Sequence, residues 1–595
     1  MFLDELYSEL EKSQGNERKL KALLLRLQNI RVFDPACGSG NFLIIAYKEL
    51  RKLEMEIIDA LNATGAQSVM YYSGIRLSQF FGIEIDDFAH EVAILSLWLA
   101  EHQMNTAFKA KFGYAEAALP LRESGRIVSG NSLRLCWSDV CSKKNINGEL
   151  YEVYLCGNPP FLGKGDRTES QTNEMEYVLG DIKGFKSLDY VACWLYKASD
   201  FIKGTDFSSA FVSTNSIVQG EQAGILWPSI FDKNIFINFA YRTFTWKNSA
   251  RSNAGVHVVI IGLSTKALKP RIFLETDKTL RELSVSYINP YLLDSKSGPV
   301  TSRSTPLCNV SRIIDGNNYT KCGGLILNKT EMDELLEHEP NAKPWIRRFV
   351  GADEFLNAKD RWCLWLLDAN VDDIEAMPLV KARVEEVKAD RLLSGKKETR
   401  EKASLVPHLF PEIRQPREGR YLLIPRVTSE RRLYAPVGYM AASVITSNQV
   451  LMIPEAGLFE FGVLSSETHN DWMRTVGGRL KSDYRYSATL VYNTFPWPDA
   501  SNPQRKAIEA LAEEVLLVRE DYSGKTLAEL YDPDKMPQPL LDAHKALDRA
   551  VEKLYRDRPF RDASERLEHL FARYEKLIAA EQSKASAKKI TKGIK

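Results

Sequence analysis

The sequence predicts an α/β protein: a doubly wound sheet over residues 31–265, then an α+β region over 310–500 and a helical end over 501–582. Three observations carry this. Between 31 and 265 short apolar, β-rich runs alternate with helical stretches, the pattern of a parallel or mixed sheet covered by helices. From about 310 to 498 that alternation gives way to short strands, many aromatics and one charged helix. From 503 to 582 the apolar residues return to helical spacing, with Leu540, Ala543, Leu547, Ala550, Val551 and Leu554 on one stripe that reads as an ordinary packing face.

Taken in order, residues 1–30 are helical, because Phe2, Leu3, Leu6 and Leu10, then Leu20, Leu23, Leu24 and Leu27, recur at helical spacing. The strands expected next are Ile30–Phe33, Gln79–Ile85, Ile127–Ser129, Val153–Cys156, Ser209–Thr214, Ile235–Tyr241 and Val256–Leu263. The last two have no long helix between them and suit an antiparallel hairpin at the sheet edge. Residues 266–309, with turn residues and the Ser/Thr-rich Ser295–Thr305, read as a linker. Pro378 opens the charged helix Pro378–Leu393. Tyr492-Asn493-Thr494-Phe495-Pro496-Trp497-Pro498 closes the α+β region. The tail 583–595 carries Lys584, Lys588, Lys589, Lys592 and Lys595 without an acid and reads as a disordered, solvated end.

At 595 residues the chain has room for three or four domains. A net charge of +1 excludes global basicity, so a nucleic-acid surface has to be local. The eight cysteines form no CxxC pair and no zinc-like cluster, so no metal site is expected, and they read as reduced residues of a cytoplasmic protein. No apolar run is long enough to span a membrane, and no signal peptide is visible.

The chemistry concentrates in two motifs. Asp34-Pro35-Ala36-Cys37-Gly38-Ser39-Gly40-Asn41-Phe42 is a strand end, a glycine turn and a helix start. Gly38 and Gly40 let the backbone turn sharply and come close to a ligand. Gly157-Asn158-Pro159-Pro160-Phe161 is a strand that stops in a stiff turn, where two prolines remove two donors and leave carbonyls free to accept. Either motif alone also reads as a plain turn; the two in this order argue against that. Between them Glu84 ends a second strand, Phe81-Gly82-Ile83-Glu84, where an acid can accept both hydroxyls of a ribose. The alternative for Glu84 is a neighbour of a helix N-cap. Asn131, in Gly130-Asn131-Ser132, ends a third strand, where Gly-Asn also makes ordinary turns.

In this order and spacing the motifs resemble the amino-methyltransferases that act on adenine N6 in DNA. The resemblance implies a Rossmann-like class I methyltransferase sheet and S-adenosylmethionine as cofactor. It assigns the pocket to Asp34, Ala36, Gly38, Gly40, Asn41, Phe42, Glu84, Ile85, Asn131 and Ser132: Asp34 at the methionine end, Glu84 at the ribose, Asn131 at the adenine. It makes Asn158, Pro159, Pro160 and Phe161 the catalytic turn, working on a base flipped out of the duplex.

Longer runs (Phe33–Leu50, Gly82–Asn105, Ser187–Ser199, Phe211–Trp227, Phe239–Gly262, Arg420–Tyr439, Phe459–Pro498 and Asp542–Lys576) resemble the type IIL, MmeI-like restriction–modification enzymes. Members join a nuclease, a helical connector, an adenine methyltransferase, a target-recognition domain and a helical C-terminus. Only about thirty residues precede Asp34, so the resemblance leaves out the nuclease and most of the connector, with 1–30 as its remnant. A short match to a nuclease pattern, Asp4 with Glu17 and Lys19, lies on helical spacing. A separate chain supplying that segment or a nuclease is one expectation, and a remnant that recognises DNA without catalysis is another. Glutamine methylation, also known for Asn-Pro-Pro-aromatic sites, is disfavoured by the long recognition region.

The resemblance implies double-stranded DNA as partner. Arg414, Arg417, Arg420, Arg426, Arg431 and Arg432 fall within nineteen residues, a basic loop suited to phosphate and base contact. In Gly478-Arg479-Leu480-Lys481-Ser482-Asp483-Tyr484-Arg485, Lys481 and Asp483 are expected to alternate on one face of an extended segment, with Arg485 beside them. In the family the matching pair reads the base pair 3′ of the target adenine, which implies G after the methylated A.

Overall fold

The computed structural model describes residues 2–65, 73–113, 126–246, 256–266, 269–276 and 279–592. The chain divides into two compact units, Met1–Val218 with Gln222–Pro299, and Gln219–Glu221 with Val300–Lys595.

In the first unit, helices α1 (Phe2–Ser13) and α2 (Glu17–Asn29) lead into strand β1 (Ile30–Asp34). Then come α3 (Asn41–Ala63), β2 (Phe80–Glu84), α4 (Asp87–Phe112), β3 (Arg126–Ser129), α5 (Trp137–Val140) and β4 (Glu152–Gly157). The unit continues with α6 (Glu169–Leu179), α7 (Ala192–Ile202), β5 (Ser208–Thr214), α8 (Gly220–Phe231), β6 (Phe236–Trp246) and β7 (Val256–Ser264), and closes with β8 (Arg271–Thr276) and β9 (Thr279–Ser284). Among the described residues these strands form one nine-stranded sheet in the order β3-β2-β1-β4-β5-β7-β6-β8-β9.

β1 pairs in parallel with β2 on one side and β4 on the other, so the strand order reverses at the β1/β4 boundary. β3 and β5 extend the parallel part. The carboxyl ends of β1, β2, β3 and β4 therefore lie along one edge of the sheet, where α/β folds bind ligands. Ile30, Val32, Phe33, Phe80, Ile83, Val153 and Leu155 are buried, as expected for strands covered on both faces. α1 and α2 pack on the same core through Leu6, Leu10, Leu20, Leu23 and Leu27. Arg26 ties them to the sheet, its guanidinium paired with Glu152 at the start of β4 (2.7 Å) and with Glu5 (3.1 Å).

Two expectations for this unit change. β6 and β7 are antiparallel, but the sheet does not end there: β6 also pairs with β8, which pairs with β9. Residues 266–309 are thus not a plain linker. β9 is almost wholly exposed, so its sequence carries no buried apolar alternation to announce a strand. Further on, Asn289, Ser295 and Ser297 are buried and hydrogen-bonded to one another, with Tyr291, Leu292 and Leu293 packed beside them. Their polar side chains take the place of a backbone ladder, which makes a packed segment look like a loop in sequence.

Among the described residues the second unit holds three small sheets. One orders Ile314–Asp315, Val450–Pro454, Arg420–Pro425 and Gly438–Ala441; another orders Ile326–Leu327, Trp362–Leu364, Ile346–Val350 and Ile445–Thr446. The third orders Val427–Thr428, Asp483–Arg485 and Gly478–Leu480. The charged helix runs Pro378–Leu392 and buries Val380, Val384 and Val387. Among the described residues the helices Lys397–Leu405, Leu458–Ser465 and Glu467–Val476 follow it, and beyond residue 500 come Asn502–Glu520, Leu527–Leu530, Gln538–Tyr555 and Ala563–Lys592. The last continues into residues 583–592, expected to be disordered. Alanine and lysine are strong helix formers, and the helix propagates through them.

All eight cysteines are free; five are buried and Cys136 is exposed. Among the described residues no helix is long and apolar enough to cross a membrane, and no group of three or more His, Cys, Asp or Glu could hold a metal ion.

Candidate active site

Asp34 ends β1 with its side chain 1% exposed. Its Oδ1 accepts a hydrogen bond from the Ala36 amide at 3.0 Å, while Oδ2 is buried without a partner. Burial pushes its pKa from 3.8 up to about 7; the Ala36 amide opposes that shift and the nearby Glu84 carboxylate adds to it. A carboxylate oxygen left dry and unpaired is costly in a structural role and useful in a binding one.

The backbone on either side is glycine for two reasons, a left-handed φ or a lack of room for a Cβ. Gly38 and Gly40 have φ of 53° and 83°, the left-handed region, and Gly40 caps α3 against Ala93. At the end of β4, a Cβ on Gly157 would overlap Asp34 Oδ1. On β2, a Cβ on Gly82 would come within 2.8 Å of both Cys37 Sγ and Ile127 Cδ1. Gly157 and Gly82 stand in the sequence motifs without a role of their own; the spacing of strand ends gives no sign that Asp34 fills the space above β4.

Glu84 ends β2 and its carboxylate ties three backbone amides together: Gly38 on Oε2 at 2.8 Å, Ile85 and Asp86 on Oε1 at 2.9 Å each. A carboxylate has about four acceptor sites, so capacity remains on Oε2. The N-cap role goes to Asp86, which accepts from the Ala89 amide at 2.8 Å. Ile85 is 66% exposed beside it.

Asn131 follows β3. Its Oδ1 accepts from the Leu133 amide at 2.9 Å and its Nδ2 donates to Glu174 on α6 at 2.8 Å, leaving one amide hydrogen. Ser132 is buried, and its carbonyl and hydroxyl oxygens accept from the Trp137 indole at 2.9 and 3.2 Å. Ser132 therefore shapes the loop from inside. Asn41 and Phe42 form the first turn of α3, exposed and half-buried.

Asn158 stands exposed at the end of β4, and among the described residues its side chain has no hydrogen bond. Pro159 is buried beneath it, Pro160 is exposed and Phe161 is half-buried. The next residue is pinned at both backbone atoms: the Leu162 amide donates to Asp189 at 3.0 Å and its carbonyl accepts from the Tyr190 amide at 3.1 Å. Asp189 and Tyr190 lie in the run Ser187–Ser199, which resembles the family but assigns them no role, and Glu174 lies outside every such run. The structure thus gathers Asp34, Ala36, Gly38, Gly40, Glu84 and Asn158 at the switch point, with Asn131 one strand further out.

The basic run is more dispersed in role. Arg426 is committed within the fold, donating to the Asn448 carbonyl at 2.9 Å and ion-paired with Asp315. Arg431 pairs with Asp534 at the surface. Arg420 lies over the Tyr439 ring, 4.5 Å from its centre. Arg432 is half-buried. Lys481 and Asp483 do not alternate along one extended segment. Leu480 pairs with Asp483, so Lys481 and Ser482 form a two-residue turn, with Lys481 at φ 57°. The strand hydrogen bonds on both sides favour closing the hairpin there over continuing straight. Arg479 braces that tip, donating to the Ser482 carbonyl at 2.7 Å with its guanidinium over Tyr484. The Glu430 amide donates to Asp483 at 3.3 Å. Lys481 and Arg485 are exposed, with no side-chain partner among the described residues.

Three family models match the chain: the MmeI DNA-methyltransferase domain over residues 10–274, the MmeI target recognition domain over 294–499 and the MmeI C-terminal domain over 500–580. The chain is 41% identical over 578 residues to DNA methyltransferase A of Bacillus subtilis, covering 97% of this chain and 65% of that protein. It therefore spans about two thirds of that relative's length. Over 159 residues it is 38% identical to a putative type II restriction enzyme and methyltransferase of Methanocaldococcus jannaschii, of which it covers 12%. A solved structure of the type IIL restriction–modification enzyme MmeI in complex with DNA superposes with a TM-score of 0.87 at 42% identity, covering 97% of this chain and 77% of that one. On this match in sequence and structure along nearly its whole length, the chain belongs to the MmeI family.

Proposed function

We propose that this chain is a site-specific DNA methyltransferase of a restriction–modification or phage-defence system, moving a methyl group from S-adenosylmethionine to N6 of a flipped-out adenine. The observation that carries this reading is the pair of unsatisfied groups on adjacent strands: buried Asp34 Oδ2 at the end of β1 and the unbonded Asn158 amide at the end of β4.

The pocket residues fit the cofactor. Asp34 Oδ2 offers a dry acceptor to the ammonium of its methionine part, and the glycine turn lets backbone come close. Glu84 retains acceptor capacity for ribose hydroxyls, exposed Ile85 offers an apolar face, and Asn131 keeps one amide hydrogen for an adenine ring nitrogen. When bound, the cofactor supplies an electrophilic methyl on sulfonium.

The protein's own work is on the amine. The lone pair of adenine N6 is delocalised into the ring, so the nitrogen is a poor nucleophile. The Asn158 side-chain oxygen and the Pro159 carbonyl accept its two N–H bonds, which favours a more tetrahedral nitrogen with its lone pair directed at the methyl. Pro159 and Pro160 keep those acceptors fixed, so little reorganisation is needed at the moment of reaction. Phe161 stacks on the base, offsetting the few kcal/mol of unpairing. The nitrogen would gain the methyl as the methyl's bond to sulfur breaks, the electron pair staying on sulfur as a neutral thioether, and would release one proton along the acceptor to water.

DNA contact in this reading falls to Lys481, Asp483 and Arg485 on the braced hairpin, with Arg420, Arg431 and Arg432 near the backbone and Arg426 as their support. Lys481 donating to guanine favours G after the methylated adenine. The test is single-molecule methylation mapping of DNA from a methylase-free host expressing the chain, with Asn158→Ala as control. Methylated adenines in one short motif, absent in the control, are expected; an unmethylated genome would sink the reading.

A further inference from the structure

The short segment Asp189–Trp194, at the start of α7, touches two loops of the candidate site directly and reaches the third through Glu174. Asp189 is 5% exposed. Its Oδ1 accepts from the amides of Leu162 (3.0 Å) and Val191 (3.3 Å), and its Oδ2 from the Thr214 hydroxyl at the end of β5 (3.2 Å). Its own amide donates to Gln222 Oε1 at 2.8 Å. Asp189 thus fixes the residue directly after Phe161 to the carboxyl end of the neighbouring strand. The adjacent Tyr190 donates its hydroxyl to Glu174 Oε2, and Glu174 Oε1 holds Asn131 Nδ2. Trp194, one turn further on, donates its indole N–H to the Pro35 carbonyl at 3.2 Å and meets Tyr190 edge to face.

These side chains are buried and face the backs of the loops, so they do not touch the reacting atoms. Asp189 and Trp194 hold the loops that would carry the target amine and the cofactor's methionine end, and Tyr190 holds Glu174, the partner of the residue that would meet the cofactor's adenine. Burial also pushes the Asp189 pKa up, but two backbone amides and a hydroxyl directed at the carboxylate favour its charged form. Removing such an acceptor leaves buried amides unpaired and frees the loop to shift.

We propose that Asp189 and Tyr190 are positioning residues with divided labour: Asp189 sets the Asn158–Phe161 turn against the target amine, and Tyr190, through Glu174, sets Asn131 against the cofactor. This rests on the methyltransferase reading above and names the residues that hold its two halves in register. A buried carboxylate and a buried phenol placed only for stability would lower transfer and binding together.

The experiment separates the two halves. Asp189→Ala, Asp189→Asn and Tyr190→Phe are compared with wild type for single-turnover transfer at saturating cofactor, for S-adenosylmethionine Kd and for amide hydrogen exchange. Asp189→Ala is expected to lower the transfer rate by on the order of 10²-fold, the cost of roughly 1 Å of misplacement, and to speed exchange at Leu162, with the Kd within about twofold of wild type. Asp189→Asn, which keeps an acceptor for Leu162, is expected to restore most of the rate. Tyr190→Phe is expected to raise the Kd several-fold while the saturated rate stays within about twofold. Rate and Kd falling in step in both variants, or no rescue by asparagine, would overturn the division. If wild type neither transfers nor binds, the methyltransferase reading fails by itself. Exchange at Leu162 then decides whether Asp189 holds the turn, and an unchanged amide in Asp189→Ala rejects it.

Discussion

The switch point of the first unit and the basic run of the second unit treat their polar groups in opposite ways. At the switch point, hydrogen-bonding capacity is left over. Asp34 Oδ2 is buried and unpaired, Glu84 is three-quarters satisfied, and Asn158 is bonded to nothing among the described residues. In the basic run most cations have partners already: Arg426 with Asp315, Arg431 with Asp534, Arg414 with Glu412. In the proposed reading, the unused capacity at the carboxyl ends of β1 and β4 is what a ligand would take up, and a count of arginines is no such sign. On the hairpin, Lys481 and Arg485 share this character: both are exposed, with no side-chain partner among the described residues.

The largest effect that can break this contrast is at Asn158. Asn158→Ala is expected to cut methyl transfer by on the order of 10²-fold or more while cofactor Kd changes little, as for loss of one aligned transition-state partner. Equal loss of both would make Asn158 a structural residue.

Asp34 comes next, and its effect has a pH sign. The folded chain holds a proton on Asp34 up to about pH 7, against 3.8 for an aspartate free in water. The penalty this places on stability is absent below the unfolded pKa, grows as pH rises past 3.8 and is complete near 7, at on the order of 4 kcal/mol. Asp34→Asn should therefore gain most melting temperature over wild type at pH 8, less at pH 5 and little below pH 4, while losing cofactor affinity throughout. The opposite sign in thermal melts would mean that Asp34 is paired in the free protein.

Gly157→Ala should reach the same carboxylate from behind. The added methyl overlaps Asp34 Oδ1, displacing it at a cost of about 1–3 kcal/mol in stability and weakening cofactor binding together. The smallest effects are in the second unit. Arg426→Ala is expected to lower the melting temperature through its lost pairing with Asp315. Lys481→Ala should leave melting unchanged and relax the base preferred after the target adenine, a discrimination of about 1–3 kcal/mol visible in methylation maps. Similar behaviour of the two variants would erase the distinction between committed and uncommitted cations.

Much of the first unit was legible because parallel strands are buried on both faces and read as apolar runs; β1 to β7 fall close to where periodicity puts them. β8 and β9 were not legible, since an exposed edge pair needs no apolar alternation. At the site, the glycines and the prolines announced themselves because the backbone there tolerates few other residues. Asp189 and Glu174 did not, since an acid at the start or middle of a helix looks like a cap or a solvated face. Lys481 shows the limit of reading faces from alternation: its position after Leu480 suggests a strand, and only the pairing of Leu480 with Asp483 reveals the turn.

The most direct measurement is transfer of labelled methyl from S-adenosylmethionine to DNA by the purified chain, read after digestion to nucleosides, for wild type and Asn158→Ala. Label in N6-methyladenine is expected with wild type, and its loss in the variant at unchanged cofactor binding. Label in another nucleoside, or equal label from both proteins, would contradict the proposed function.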